Sequence, residues 1–226
     1  MNLTQANKSD LELILNKALV SNLSGDTTLE NLLSLFNLEE KKLLDSIIKI
    51  DPHDYGFKGA KLSGEPNNIK IIKIDKNIAT KNGEYALDSN IYIAENIYKK
   101  FREMNRAFAF DFPNRELLIG SAYRAPGFQI ITLLYLLIEV HNFDIGKTLK
   151  QVALPQYSQH CSQTHTAIDI MNIDGEPTDD QPEKFSETIE YIWLLANATK
   201  FGFVESYPKG NKDGIMWEPW HWQFTG

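Results

Sequence analysis

The spacing of apolar residues changes at Asp51-Pro52, and one kind of secondary structure cannot accommodate both sides of that point. Before it, Leu11, Leu13, Ile14, Leu15 and Leu19 recur at helical spacing, followed by Leu29, Leu32, Leu33, Leu35, Phe36, Leu43, Leu44 and Ile47. Asp26-Thr27-Thr28 offers a cap for the second run, with Glu30 close behind. After it, helix and strand patterns alternate. Residues 69–74 read as a strand, 91–104 as a helix and 116–121 as a buried strand. Residues 127–141 read as a strongly apolar helix, 166–173 as a strand, 182–199 as a helix opened by acidic residues, and 214–224 as a final strand. The expected architecture is a compact α+β domain over residues 51–226, preceded by a helical N-terminal segment over 1–50 whose role is packing or positioning.

A chain of 226 residues supports one substantial domain with a small appendage. Its net charge of −7 lacks the basic footprint of a nucleic-acid binder, so no nucleic-acid partner is expected. The single cysteine, Cys161, rules out an intrachain disulfide. The N-terminal residues show no basic stretch followed by an apolar one, so no signal peptide is read. The expected compartment is the cytoplasm, or the cell envelope if an export signal has been removed. The longest apolar run, 130–140, is too short for a transmembrane segment.

Three stretches carry chemistry. In Trp217-Glu218-Pro219-Trp220-His221-Trp222 a carboxylate precedes an imidazole by three residues among aromatics. Pro219 disfavours a helix here, and on an extended chain a local bend is needed for Glu218 and His221 to face one site. Water-excluding aromatics raise a carboxyl pKa towards neutrality, which suits a general base. The plain alternative is an aromatic core strand with an incidental histidine.

The second stretch, 158–169, holds His160, Cys161, His165 and Asp169. Two histidines and an aspartate, His221 included, leave a fourth position on zinc open, as a catalytic site requires. On a regular strand His165 and Asp169 are about 13 Å apart, too far for one ion, which favours His160. Cys161 is a rival ligand by chemistry, but next to His160 on an extended chain it points the other way. In the third stretch, Ser121-Ala122-Tyr123-Arg124 followed by Gln129, the guanidinium offers a planar fork for a carboxylate; a surface arginine paired with an acidic neighbour is the plain alternative.

In this order the three stretches resemble the D-alanyl-D-alanine carboxypeptidase family of zinc peptidases, which includes the VanY-type and LdcB-type enzymes. The matching residues are Ser121, Tyr123, Arg124 and Gln129, then Ser158, His160 and Asp169, then Glu218, Pro219, Trp220 and His221, within about residues 85–226. The resemblance implies a zinc-peptidase domain with a small antiparallel sheet flanked by helices. It implies zinc on His160, Asp169 and His221, Glu218 activating water, and Arg124 holding the substrate's terminal carboxylate, with Ser121, Tyr123, Gln129 and Ser158 lining the substrate site. Two departures stand out. Eight residues separate His160 from Asp169 where the family pattern has six, and Ala125 stands where Ser or Thr is usual.

The implied reaction removes the C-terminal D-amino acid, D-Ala, from peptidoglycan stem peptides. Its alternatives are a D,D-dipeptidase, an endopeptidase on wall peptides, or a zinc-containing wall-peptide binding domain without turnover. An intact Glu218 argues against the last, and a lone cysteine against a closed structural zinc site.

Overall fold

A computed structural model of the protein describes residues 4–62, 69–75, 90–175 and 181–226; residues 1–3 and the first positions of the family resemblance, 85–89, lie outside them. Along the chain the elements run α1 (Gln5–Leu19), α2 (Leu29–Ser34), α3 (Leu38–Ile48), β1 (Ile71–Asp75), β2 (Asn90–Ala94), α4 (Glu95–Asp111), β3 (Leu117–Ser121), α5 (Pro126–Tyr135), α6 (Ile145–Gln151), β4 (Ala167–Asn172), α7 (Pro182–Ser186), α8 (Ile189–Asn197), β5 (Phe203–Glu205) and β6 (His221–Phe224). They divide into two compact units. One takes in residues up to 62, 124–161 and 212–216; the other takes in 63–123, 162–211 and 217–226.

The first unit is helical. Leu11, Ile14, Leu15 and Ala18 recur along one face of α1 and are buried, as are Leu44 and Ile47 of α3. Each leucine and isoleucine among them contributes about 1.5–3 kcal/mol of burial. The helix starts are set by side chains: Thr4 and Asn7 form a capping box on α1, Thr28 caps α2, and Asn37 with Glu40 caps α3. Helix α5 buries Phe128, Ile130, Ile131, Leu133 and Leu134 and packs against α1 and α2. The apolar run expected over 127–141 is α5 continued by a π-helical turn, Leu136–Val140.

The second unit is built on a four-stranded antiparallel sheet in the order β3-β4-β6-β5. Ile168 and Ile170 of β4 and Trp222 and Phe224 of β6 are buried in one core with Ile97, Phe101, Met104 and Phe108 of α4 and Trp193 and Leu194 of α8. Alternation along the strands puts Asp169 and His221 on the opposite face from that core. Gly120 sits where the β3–β4 register shifts, and an added Cβ would come within 2.7 Å of Met171 Sδ.

Several boundaries differ from the sequence reading. The helix expected over 91–104 begins only at Glu95, because the β-branched and aromatic Ile91-Tyr92-Ile93 pair with β1 as a strand. The helix expected over 182–199 is interrupted at Thr188, whose side chain accepts from Tyr191 N–H and starts α8 afresh. Of the strand expected over 214–224, only His221–Phe224 is a strand. Residues 145–151 and 203–205 form α6 and β5, which the periodicity did not mark.

Candidate metal centre

Asp169 and His221 are partners across the β4–β6 ladder, and such pairs share a face. His221 Nδ1 lies 3.0 Å from Asp169 Oδ1. His160 sits in the 3₁₀ turn Gln159–Cys161, before β4, and is buried. His160, Asp169 and His221 make up a donor set that could hold a metal ion. Two ligands about 2.1 Å from one tetrahedral ion are about 3.4 Å apart, so the aspartate–histidine pair, at 3.0 Å, is close to that spacing. Two imidazoles and one carboxylate suit zinc, and three protein ligands leave a position for substrate or water.

Neither rival ligand belongs to this group. His165 is exposed, with Nδ1 2.8 Å from Thr164 Oγ1. Cys161 is buried, and burial pushes its thiol up to about 12.

Glu218 is brought to the same place by the bend that the sequence required. His221 N–H donates to the Glu218 carbonyl at 3.0 Å, closing a turn around Pro219. Glu218 Oε2 then lies 3.6 Å from His221 Nδ1, and the Glu218 side chain is buried. Buried Trp220 and Trp222 flank His221 in sequence, and Trp222 Nε1 donates to the Pro219 carbonyl at 3.0 Å.

The Ser-x-Tyr-Arg stretch leads out of β3. Ser121 is the register partner of Asp169, so Ser121, Asp169 and His221 follow one another across three strands. Tyr123 is buried, and its hydroxyl accepts from Gln163 Nε2 at 3.5 Å. The Arg124 guanidinium donates to Gln129 Oε1 at 3.3 Å, and Gln129 Nε2 donates to the Ala153 carbonyl at 2.9 Å. Arg124 N–H donates to the His160 carbonyl at 3.0 Å, tying the backbones of two site residues together. Ser158 is buried, its carbonyl accepts from Cys161 N–H, and its side chain bonds to the Cys161 thiol.

A family model described as D-alanyl-D-alanine carboxypeptidase (VanY) matches residues 90–226. The chain belongs to this family. It is 31% identical over 160 residues to a D-alanyl-D-alanine carboxypeptidase of Enterococcus faecium, a match covering 69% of this chain and 45% of that protein. It is 26% identical over 141 residues to the bifunctional D-Ala-D-Ala dipeptidase and D-Ala-D-Ala carboxypeptidase VanXYC of Enterococcus gallinarum, covering 62% of this chain and 70% of the relative. The chain therefore spans under half the length of the Enterococcus faecium relative. Among solved structures, the LdcB LD-carboxypeptidase shares the fold with a TM-score of 0.55 at 23% identity, over 77% of this chain and 78% of that one. VanYB in complex with D-alanine-D-alanine shares it with a TM-score of 0.51 at 22% identity, over 71% of this chain and 81% of the other.

Beside this candidate site the sequence reading passed over Tyr207. Its carbonyl accepts from Glu218 N–H at 3.0 Å, and its ring centroid is 4.9 Å from that of His221. Ser206 N–H, beside it, donates to the His221 carbonyl. No motif marks Tyr207, because its position depends on β5, a three-residue strand too short for a periodic signal.

Proposed function

We propose that the chain is a zinc-dependent carboxypeptidase that removes the C-terminal D-amino acid, D-Ala, from peptidoglycan stem peptides. The observation that carries this reading is His221 Nδ1 3.0 Å from the Asp169 carboxylate and 3.6 Å from that of Glu218, in a donor set that includes His160. His160, Asp169 and His221 would hold zinc, which when bound supplies a Lewis acid for the scissile carbonyl and the attacking water. Glu218 takes the proton of that water and passes it to the leaving amine. Arg124, steadied by Gln129, pairs with the free carboxylate of the last residue, and Ser121, Tyr123 and Ser158 line the substrate site. The catalytic domain is proposed to run over residues 51–226, with 1–50 as a helical addition; the family match lies inside the former. Among the described residues no helix is long and apolar enough to cross a membrane.

The test is metal analysis followed by kinetics on a pentapeptide stem ending in D-Ala-D-Ala, on its C-terminal amide, and on the tetrapeptide stem. One zinc per chain and release of a single D-Ala from the free acid, with the amide a poor substrate, are expected. Equal turnover of acid and amide points to an endopeptidase. Release of D-Ala-D-Ala from the pentapeptide, or splitting of the free dipeptide, points to a dipeptidase. Zinc binding without turnover of any of them points to a wall-peptide binding domain. Preference for the tetrapeptide assigns L,D specificity.

A further inference from the structure

Helix α5 begins immediately after Arg124, and its N-cap is Ala125, which has no side chain able to accept a hydrogen bond. A capping box satisfies two donors at a helix start, the N–H of the N-cap and the N–H of the third helical residue. Both are satisfied here by carbonyls far away in sequence. Ala125 N–H donates to the Gly25 carbonyl at 2.7 Å, and Phe128 N–H donates to the Thr27 carbonyl at 3.1 Å. The acceptors lie about a hundred residues upstream, before the family match begins at residue 90.

The strap that supplies them is shaped for the task. Thr27 is buried; its N–H donates to the Ser24 carbonyl at 2.8 Å, and its hydroxyl accepts from Ser24 N–H at 3.0 Å, closing residues 24–27 into a turn. Thr28 then caps α2, so the strap is continuous with a helix that packs against α5. Gly127 completes the fit. A Cβ there would lie 2.3 Å from the Thr28 carbonyl oxygen and 2.7 Å from that of Thr27, so no side chain is compatible with the strap where it lies. What the strap fixes is the start of α5 and, one residue earlier, Arg124. Arg124 bonds through its side chain to Gln129 on the first turns of α5 and through its backbone to the carbonyl of His160.

We infer that residues 24–28 of the N-terminal helical segment are a positioning element of the substrate site, replacing the missing side-chain cap of α5 and so holding Arg124 where it meets the substrate carboxylate. The inference rests on the carboxypeptidase reading for what Arg124 binds, but not for what holds Arg124. It gives the N-terminal helices a task in recognition rather than in packing alone, and it explains how Ala125 is tolerated at a capping position.

The experiment compares the full chain with Gly127→Ala and with Gly127→Ala combined with Ala125→Ser, which gives α5 a cap of its own. Thr27→Val, which keeps the shape and removes the hydroxyl that closes the turn, is the milder variant should Gly127→Ala fold poorly. In Gly127→Ala the amide hydrogens of Ala125 and Phe128 are expected to exchange faster, and the order parameter of the Arg124 guanidinium Nε is expected to fall. KM for the pentapeptide should rise about five- to tenfold, with kcat within about twofold, as expected when the competent arrangement is only partly populated. Zinc content should stay at the wild-type level. Ala125→Ser should restore the Arg124 order and most of KM, which a general loss of stability would not allow. Thr27→Val should move each readout the same way by less. Faster exchange at Ala125 and Phe128 with Arg124 order and KM unchanged would overturn the inference, and so would unchanged exchange in Gly127→Ala. If Arg124 loses order while the wild type fails to distinguish acid from amide, the carboxypeptidase reading fails and the positioning role stands.

Discussion

Arg115, in the turn before β3, tests how the sheet that carries Asp169 is anchored. Its Nε donates to Glu190 Oε1 at 2.6 Å and a terminal nitrogen donates to Asp174 Oδ2 at 2.7 Å. Glu190, in the first turn of α8, has no solvent exposure, and its other oxygen has no hydrogen-bond partner among the described residues. The Glu190 and then the Asp174 carboxylates hold the guanidinium pKa above its ordinary value. Arg115→Met keeps the length of the side chain and strands a buried carboxylate. Removing one partner of a fully buried pair costs about 3–5 kcal/mol; because the Arg115 side chain is 29% exposed and water can reach the gap, about 2–4 kcal/mol is expected. For a chain of this size each kcal/mol lowers Tm by about 2–4 °C, so the loss should be about 4–16 °C. Thermal unfolding followed by circular dichroism at neutral pH measures it. The double variant Arg115→Met/Glu190→Leu should recover most of the loss, since no charge is left buried. A fall of less than about 2 °C, or a double variant no more stable than the single one, would refute the reasoning.

Four further outcomes are expected. Glu218→Gln keeps shape and removes the base, so kcat should fall by about 10²- to 10⁴-fold with zinc content unchanged; loss of zinc instead would make Glu218 a ligand. His160→Ala should lose zinc and activity while His165→Ala keeps both near wild type, and metal analysis showing the reverse would move the ligand to His165. Tyr207→Leu should weaken zinc binding by about tenfold in chelator competition, with Tyr207→Phe, which keeps the ring on His221, losing less. His53 has acceptors at both ring nitrogens, Asp51 Oδ1 at 2.6 Å and the Gly59 carbonyl at 3.2 Å; the Asp51 hydrogen bond chiefly raises its pKa, and His53 N–H chiefly lowers that of Asp51. The His53 contribution to stability is complete below its unfolded value and fades as pH rises through the raised one, whereas that of Asp51 fades only as pH falls through its lowered one. The Tm gap between wild type and His53→Gln should therefore be widest near about pH 5.5 and close towards about pH 8.5.

The parts of the site legible in the sequence are those whose chemistry is local. Glu218, Pro219 and His221 sit within four residues, and an extended chain there needed a bend for Glu218 and His221 to face one site, which the His221-to-Glu218 hydrogen bond closes. Asp169 was legible through the His160-to-Asp169 stretch and the family resemblance it carries, and its strand shows a buried alternation. The start of α4 was not, because Ile91-Tyr92-Ile93 suits either periodicity over so short a run and only the partner strand β1 decides it. Tyr207 and the strap at residues 24–28 were hidden for a related reason. The strap acts through backbone carbonyls, which every residue carries, so no residue type betrays it; Tyr207 adds a ring on His221 to its carbonyl, but it follows a strand too short for a periodic signal.

The two residues inserted between His160 and Asp169 follow the same division between local and distant causes. Asp169 is set against His221 by the β4–β6 ladder, and nothing in the loop before β4 alters that register. The insertion can act only on the tether to His160. Lengthening a closed loop from six to eight residues costs about 0.3 kcal/mol, far less than the 10 kcal/mol or more that a structural zinc ion can contribute. The loop offsets even that with bonds of its own: Thr166 Oγ1 donates to the Ser162 carbonyl, and His165 N–H donates to Ser162 Oγ at 3.0 Å. These bonds turn the chain just before β4 and leave His165 exposed. His160 is held from its other side, through its carbonyl, by Arg124 N–H. The proposed ligand His160 is therefore tied by a bond to a residue outside the loop, so the longer loop is compatible with that proposal and does not require His165.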